Sequence, residues 1–222
     1  MKKLFTIFIG IVAILVVLSV AKDALIKIAV EKGSEMFAGL PIKMRSINVG
    51  ILKTVFNIRD LAVLNPKTFR FNDRVMLDMP EVYVDYNLPA ILKRRIHLYE
   101  VRINLREFIV VKNEKGKINL DSLKMAQPKK KTSKPQSGSK GGIKISDVQI
   151  DVLRIKVDTV IYKDYSQGSV PVVKKFNINI DERYEDISGL SSLANLIIVK
   201  PLMKTTISRL ADINLNDLKG DV

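Results

Sequence analysis

The chain has 222 residues, which is enough for one membrane anchor and one folded domain, or for two small domains. Apolar residues make up 47% of it, so it can bury a core, and the absence of cysteine excludes disulfides, thiol nucleophiles and thiolate zinc sites. The net charge of +14 suits an anionic partner, but seven lysines between Lys124 and Lys144 carry much of it, which argues against nucleic acid.

An uncharged apolar run follows the two N-terminal lysines. Residues 4–21 would form a helix of about 27 Å, close to the roughly 30 Å of a bilayer core. We therefore predict a transmembrane anchor over residues 1–21. A cleaved signal peptide is the alternative, because Ser19 and Ala21 form a small-x-small site. The length of the run and the helical pattern beyond it favour retention.

Residues 22–40 are predicted to form a juxtamembrane helix. Apolar residues recur at helical spacing from Leu25 to Met36, and Gly39 and Pro41 end the pattern. Two interpretations stay open. The helix packs on the following domain, or it continues into the headgroup layer with its lysines facing lipid phosphates.

One strand pattern, apolar-x-apolar-x-polar-apolar-x-apolar, then recurs six times. Alternation with period two indicates a strand with one buried face, but the parity changes once in each copy. We predict a β-bulge near the polar position, because one extra residue restores a single buried face and bends the strand. Four copies carry an acid at that position, and two looser copies carry a hydroxyl: Asp60, Glu81, Glu100 and Asp147, with Ser46 and Thr159.

Turn signals separate these units at Asn65-Pro66, at Asn87 to Pro89 and at Asn113 to Gly116. With a further alternating run at 176–180, they predict seven to nine strands and little helix. The fold class is therefore mainly β, a curved antiparallel sheet of taco-like or sandwich form, because parallel strands need long crossovers.

The β domain is divided into residues 41–123 and 143–187. Between them, residues 124–142 are rich in lysine, proline, serine and glycine, and we predict a disordered loop. It is either a solvated insertion or an electrostatic tether to anionic lipid. Residues 188–222 are predicted to be a C-terminal helix and tail, with Ser188 as the N-cap and Pro201 kinking the helix or starting a second one.

Enzyme signatures are missing from the sequence. No phosphate-binding loop, dinucleotide fingerprint or nucleophile elbow occurs. The single histidine, His97, lies inside a strand unit and is expected to face solvent. We predict that the protein is not an enzyme and has no catalytic residue, cofactor or metal site.

The chain resembles the AsmA-like family of bacterial envelope proteins. The resemblance rests on the lysine-led anchor, the repeated strand unit, the Asn-Pro turn in residues 61–69 and the Gly-Lys-Ile-Asn-Leu ending in residues 116–123. It implies an inner-membrane anchor with a cytoplasmic N-terminus, a periplasmic domain, and a role in outer-membrane biogenesis or phospholipid movement. Many members are several times longer, and seven to nine strands stack to only about 35–45 Å, too little to bridge two membranes.

A curved sheet of this kind would offer an apolar inner face to membrane lipid. The alternative is a structural adaptor that binds an envelope protein partner by strand addition at the sheet edge. The candidate lipid-contact residues come from two consecutive strand units: Val82, Val84, Ile96, Leu98, Val101 and Ile103.

Overall fold

The structure is a computed structural model that describes residues 23, 27, 28, 31, 41–50, 54–66, 69, 73–93, 95–122, 148–189, 192, 193 and 195–214. The predicted anchor at 1–21 and the predicted loop at 124–142 lie outside the described residues. In chain order the elements are β1 Ile42–Lys43, β2 Ser46–Val49, β3 Val55–Leu64, β4 Val75–Tyr86, α1 Leu88–Leu92, β5 Ile96–Lys112, β6 Val148–Asp164, β7 Val172–Ser188, a π-helical segment Asn195–Val199, α2 Lys200–Met203 and α3 Ile207–Leu210.

The strands form one seven-stranded sheet in the order β1-β3-β4-β5-β6-β7, with β2 following β1 along the same edge of β3. The mainly β fold class is confirmed. The prediction of an antiparallel sheet is wrong at one pair, because β5 and β6 are parallel, from Ile96 opposite Val148 to Lys112 opposite Asp164. The sheet is therefore mixed. The chain between the two strands, which includes the lysine-rich segment, is itself the long crossover that a parallel pair requires.

The parallel pair places apolar positions of β5 and β6 side by side. Ile103 lies opposite Ile155, and Leu105 lies opposite Val157. All four side chains are buried in the main apolar cluster. The copies themselves are offset, because Glu100 lies opposite Val152 and Thr159 opposite Glu107, but one apolar face still continues from β5 to β6.

Changes of register occur at the polar position of two copies. Between β4 and β5, Tyr86 pairs with Leu98 and Asp85 with Glu100, so Tyr99 is an extra residue beside Glu100. Between β6 and β7 the register shifts from Val157 to Thr159. The predicted bulge is confirmed beside Glu100. At Thr159 the extra residue lies on β7 instead, because the two steps from Val157 to Thr159 face three steps from Ile180 to Asn177. The apolar residues on both sides of the two positions pack in the same cluster.

The first copy keeps its apolar face by another means. Arg59 pairs with Glu81 and Leu61 pairs with Met79, so β3 and β4 keep one register across Asp60. Asp60 has a φ of 49°, in the left-handed region that aspartate and asparagine tolerate better than most residues. In this copy the apolar residues therefore change from even-numbered to odd-numbered positions at a residue with left-handed backbone. No β-bulge between β3 and β4 is involved.

The C-terminal helix differs from its prediction. Ser188 is the last residue of β7 instead of an N-cap, and the helical region is divided into the π-helical segment, α2 and α3. Pro201 lies in the first turn of α2, where its missing N–H has no intrahelical partner to lose. Val199, Leu202 and Ile207 are fully buried in the main cluster, so this segment packs on the apolar face of the sheet.

The β1–β2 edge of the sheet is bonded by side chains that precede it in the chain. Asp23 and Glu31, both helical, accept hydrogen bonds from the backbone N–H groups of Val49 at 3.2 Å and Met44 at 2.9 Å. Such contacts cover an edge that would otherwise template pairing with another chain. They favour the interpretation in which this helix packs on the domain. The opposite edge of the sheet is β7.

Candidate functional site

The candidate lipid-contact residues lie on two adjacent strands, β4 and β5. Val84 is paired with Val101, and Val82 is paired with Ile103. Antiparallel partners point to the same face of a sheet, so the two strands present one apolar surface. All six residues belong to the main cluster: Val84, Val101 and Ile103 are buried, and Val82, Ile96 and Leu98 are half-buried.

The half-buried part of this surface continues onto β3, which the sequence analysis did not include. Phe56, Leu61 and Val63 pack against the same cluster and are also half-buried. Phe56 pairs with Val84, so the two side chains share a face. The signal was available, because these residues form the first copy of the repeated pattern. We call Phe56, Leu61, Val63, Val82, Ile96 and Leu98 the half-buried row.

The C-terminal helical segment covers another part of the apolar face. The Lys200 ammonium of α2 is bonded to the Glu182 carboxylate of β7 and donates to the Tyr184 hydroxyl at 2.6 Å, and α2 also packs on β6. This hydrogen-bonded ion pair lowers the pKa of Glu182 below its ordinary value and raises the pKa of Lys200. Burial raises the pKa of Tyr184. The cover is thus tied to β6 and β7, whereas the half-buried row lies on β3 to β5.

An open cleft of about 270 Å³ lies beside α1, at the start of β5. Asn87 caps α1, since its Oδ1 accepts from the Ala90 N–H at 3.0 Å, and Pro89 occupies the first turn. Exposed Lys93 and Arg95 stand at its rim. Its lining is completed by Ile96, His97 and Gln149.

His97 is half-buried, with 26% of its side chain exposed, so it reaches solvent as expected. Both of its ring nitrogens also have partners. Nε2 lies 2.8 and 2.9 Å from the carboxylate oxygens of Asp151, and Nδ1 lies 3.2 Å from Nδ2 of Asn87. Because Oδ1 of Asn87 caps α1, its NH₂ group faces the ring. This assigns Nδ1 as an acceptor and Nε2–H as the donor to Asp151.

This arrangement holds α1 against β5 and β6. A general base needs a free lone pair within reach of the proton that it removes, and the lone pair of Nδ1 already accepts from Asn87. The chemistry of the pair is therefore that of a structural contact between His97 and Asp151. The sequence pattern does not indicate this contact, because the two residues are 54 positions apart.

A buried polar cluster lies at the other end of the sheet, where β3 and β5 end. Asn119 is fully buried, and its Nδ2 donates to Oδ1 of Asn65 at 2.8 Å and to the Ile109 carbonyl at 2.8 Å. Its Oδ1 accepts from the Val111 N–H at 3.0 Å. Asn65 and Asn119 belong to the two short motifs that carry the family resemblance. The motifs therefore meet in space and satisfy each other's buried polar groups.

Asp73 and Lys163 extend this cluster. The Lys163 ammonium donates to Oδ1 of Asp73 at 2.5 Å, and the Asp73 side chain has no exposed surface. Oδ2 of the same carboxylate has no hydrogen-bond partner among the described residues. The backbone carbonyl of Asp73 accepts from Nδ2 of Asn65, which connects the ion pair to the asparagines. The cluster therefore connects the ends of β3 and β5 with Asp73, just before β4, and with Lys163 of β6.

The face opposite the apolar cluster is charged in its middle. Arg102 of β5 and Arg154 of β6 are neighbours, and both bond to Glu100 at 2.8 and 3.1 Å. The hydrogen bond from Arg102 lowers the pKa of Glu100. The Arg102 guanidinium also lies over the ring of Tyr83, 4.4 Å from its centre. These side chains are typical of a solvated face. Nearer the end of β5 the same side carries a second buried cluster, of Ile109, Val111 and Tyr165.

In the described part of the chain, no group of three or more histidine, cysteine, aspartate or glutamate side chains could hold a metal ion. Among the same residues, no helix is both long and apolar enough to cross a bilayer. No protein-family model, curated protein or solved structure matches the chain.

Proposed function

We propose that the chain is a membrane-anchored envelope protein of the AsmA-like kind, whose sheet holds lipid acyl chains on its apolar face. Its anchor would be residues 1–21 in a bacterial inner membrane, with the N-terminus in the cytoplasm and the sheet in the periplasm. Its role would be in outer-membrane biogenesis or phospholipid movement. The half-buried row on β3, β4 and β5 is the observation that carries this proposal.

The chemistry of the row suits an acyl chain. Soluble monomers rarely leave a large contiguous apolar surface in contact with water unless it binds something. Three strands with a spacing of about 4.8 Å give a strip about 10 Å wide, enough for one acyl chain. Binding here uses apolar contact alone, so it needs neither a cofactor nor a metal, and the proposal includes no catalytic step.

The test is mass spectrometry of lipid that stays with the full-length protein through purification in detergent. Leu98→Asp places a carboxylate in the row, where a half-buried position keeps it in reach of water. We expect this variant to fold and to lose the lipid. Val170→Asp is the matched control, because Val170 is 81% exposed at the other end of the sheet. Equal lipid content in both variants, or none in the wild type, would contradict the proposal.

A second candidate function is favoured by the edge strand β7. Among the described strands, none pairs with the outer side of this 17-residue strand, and Val172 and Val173 are 52% and 53% exposed. An exposed edge can accept a strand from a partner protein, as an adaptor would. Replacing both valines with aspartate should then release a bound partner without lowering the lipid content. Loss of lipid together with the partner would argue against a separate adaptor role.

A further inference from the structure

The end of the sheet that carries α1 has the composition of a membrane-contacting surface. Leu88 and Ile91 are 36% and 37% exposed, although both side chains are large and apolar. Lys93 and Arg95 follow them and are exposed. Apolar side chains beside cations are what a helix lying in the headgroup layer presents to anionic lipid. We call these four residues the α1 patch.

The contacts of Asp23 lie at this same end of the sheet. The Asp23 carboxylate accepts from the N–H of Val49, the last residue of β2. The next residue, Gly50, accepts a hydrogen bond at 3.2 Å from the hydroxyl of Tyr86, the last residue of β4, and α1 begins two residues later. Glu31, further along, bonds to Met44, which lies between β1 and β2. Asp23, which closely follows the proposed anchor in sequence, therefore lies at the end that carries α1.

We infer that the α1 patch lies on the surface of the phospholipid bilayer. Leu88 and Ile91 reach the boundary between headgroups and acyl chains, and Lys93 and Arg95 contact the phosphates of anionic lipids. The inference rests on the proposed anchor and deepens the proposed function, because it states where the sheet meets its lipid.

The half-buried row begins directly behind this patch. Ile96 and Leu98 follow Arg95 directly in the chain, at the start of β5. Seating the α1 patch on the bilayer brings this beginning of the row to the acyl-chain boundary. A lipid tail could then pass from the membrane to the row without crossing water, which lowers the cost of leaving the bilayer.

The opposite end of the sheet offers the competing surface. Val170, Val172 and Val173 are exposed there, followed by Lys174 and Lys175. Its composition is similar, so composition alone does not choose between the two ends. Asp23 decides which end faces the bilayer, because it lies at the α1 end. The two ends are separated by the length of β5, about 50 Å at 3.3 Å for each residue of a strand.

The absence of tryptophan makes a direct test possible. Leu88→Trp and Val170→Trp each give a full-length protein with a single indole, one at each end of the sheet. Both are reconstituted into vesicles of phosphatidylcholine and phosphatidylglycerol, with and without bromine on the acyl chains. We expect bromine to quench the emission of Leu88→Trp and to leave that of Val170→Trp unchanged. Ile91→Trp serves as a second probe of the α1 patch.

Charge reversal tests whether Lys93 and Arg95 contribute to the contact with anionic lipid. Adding Lys93→Glu and Arg95→Glu to Leu88→Trp should reduce the quenching, and replacing phosphatidylglycerol with phosphatidylcholine should do the same. The inference is overturned if Leu88→Trp and Ile91→Trp are as bright in brominated as in plain vesicles while the protein stays with the vesicle fraction. It is also overturned if Val170→Trp is the quenched variant. The lipid content of Leu98→Asp tests the proposed function separately.

Discussion

Shortening the connection between β5 and β6 tests the parallel pair most directly. The N–H of Asn119 bonds to the carbonyl of Val111, so the chain leaves this region near the end of β5, whereas Val148 begins β6 opposite Ile96. The 25 residues from 123 to 147 must therefore return along about 50 Å of sheet, at 3.3 Å for each residue of a strand. Fully extended, they reach about 85 Å or slightly more.

Deleting residues 126–141 leaves a connection that reaches only about 35 Å. The shortfall of about 15 Å can be closed if two or three residues detach from the start of β6. Each detached residue lengthens the connection by about 3.5 Å and shortens the distance that it must cover by about 3.3 Å. Val148 and Ile150 would then leave the core, where they are 6% and 0% exposed. Their lost burial, partly offset by regained chain entropy, should lower the free energy of unfolding by about 2–5 kcal/mol.

Urea unfolding of the full-length protein in detergent, followed by circular dichroism, measures this change. Replacing the same sixteen residues with glycine and serine keeps the length, and it should cost at most about 1 kcal/mol. Deleting only residues 126–129 still leaves a connection of about 70 Å and should be tolerated. Wild-type stability after the sixteen-residue deletion would refute the parallel, in-register pairing, because an antiparallel pair needs no long return.

Two further predictions concern polar contacts. Asn119→Leu should lower the free energy of unfolding by about 3 kcal/mol, because it leaves buried partners such as Asn65 without a hydrogen bond; a change below about 0.5 kcal/mol in urea unfolding would contradict this. The lowered pKa of Glu182 means that its ion pair with Lys200 stabilises the fold above the ordinary pKa of 4.5 and is lost as pH falls through the lower folded value. The stability difference between wild type and Glu182→Gln should therefore shrink in acid, and a difference independent of pH would argue against it.

The apolar face was predictable because it follows from side-chain periodicity alone. A parity change inside a strand requires a local irregularity if one face is to stay buried, and the structure has such irregularities beside Glu100, at Thr159 and at Asp60. Strand direction does not follow from periodicity. Two copies of one pattern pair equally well either way, and only the length of the chain between them indicates a crossover.

The strand pattern does not predict contacts between polar residues that are distant in sequence. Asn65 and Asn119 were interpreted separately as ends of structural units, and each does follow a strand. Their hydrogen bond depends on the ends of β3 and β5 lying at one edge of the sheet, which is set by strand order. The partner of His97 was not predictable for the same reason, since Asp151 comes from the parallel neighbour β6. A single sequence states which residues are polar but not which strands will be adjacent.

The irregularities of neighbouring strands are aligned, and this alignment has a measurable consequence. Tyr99 lies between the pairs Leu98–Ile150 and Glu100–Val152, and Asp151 is its counterpart on β6. On β7, Asp186 lies at the same level with a φ of 54°. One line of irregular residues thus crosses β5, β6 and β7. Such a line bends these three strands at one level, and the register shift between β4 and β5 marks where it ends.

Deleting Tyr99 alone would make β5 regular while β6 keeps its extra residue Asp151, so the two strands would no longer match along their full length. Deleting both residues restores the match between β5 and β6. The double deletion should therefore be less destabilising than the sum of the single deletions, with a coupling free energy of about 0.5–3 kcal/mol in urea unfolding. The loss of the contact between Asp151 and His97 occurs in both the Asp151 deletion and the double deletion, so it largely cancels in the coupling. Additive losses would mean that the two irregularities arise independently and that the bend is not a shared property of the strands.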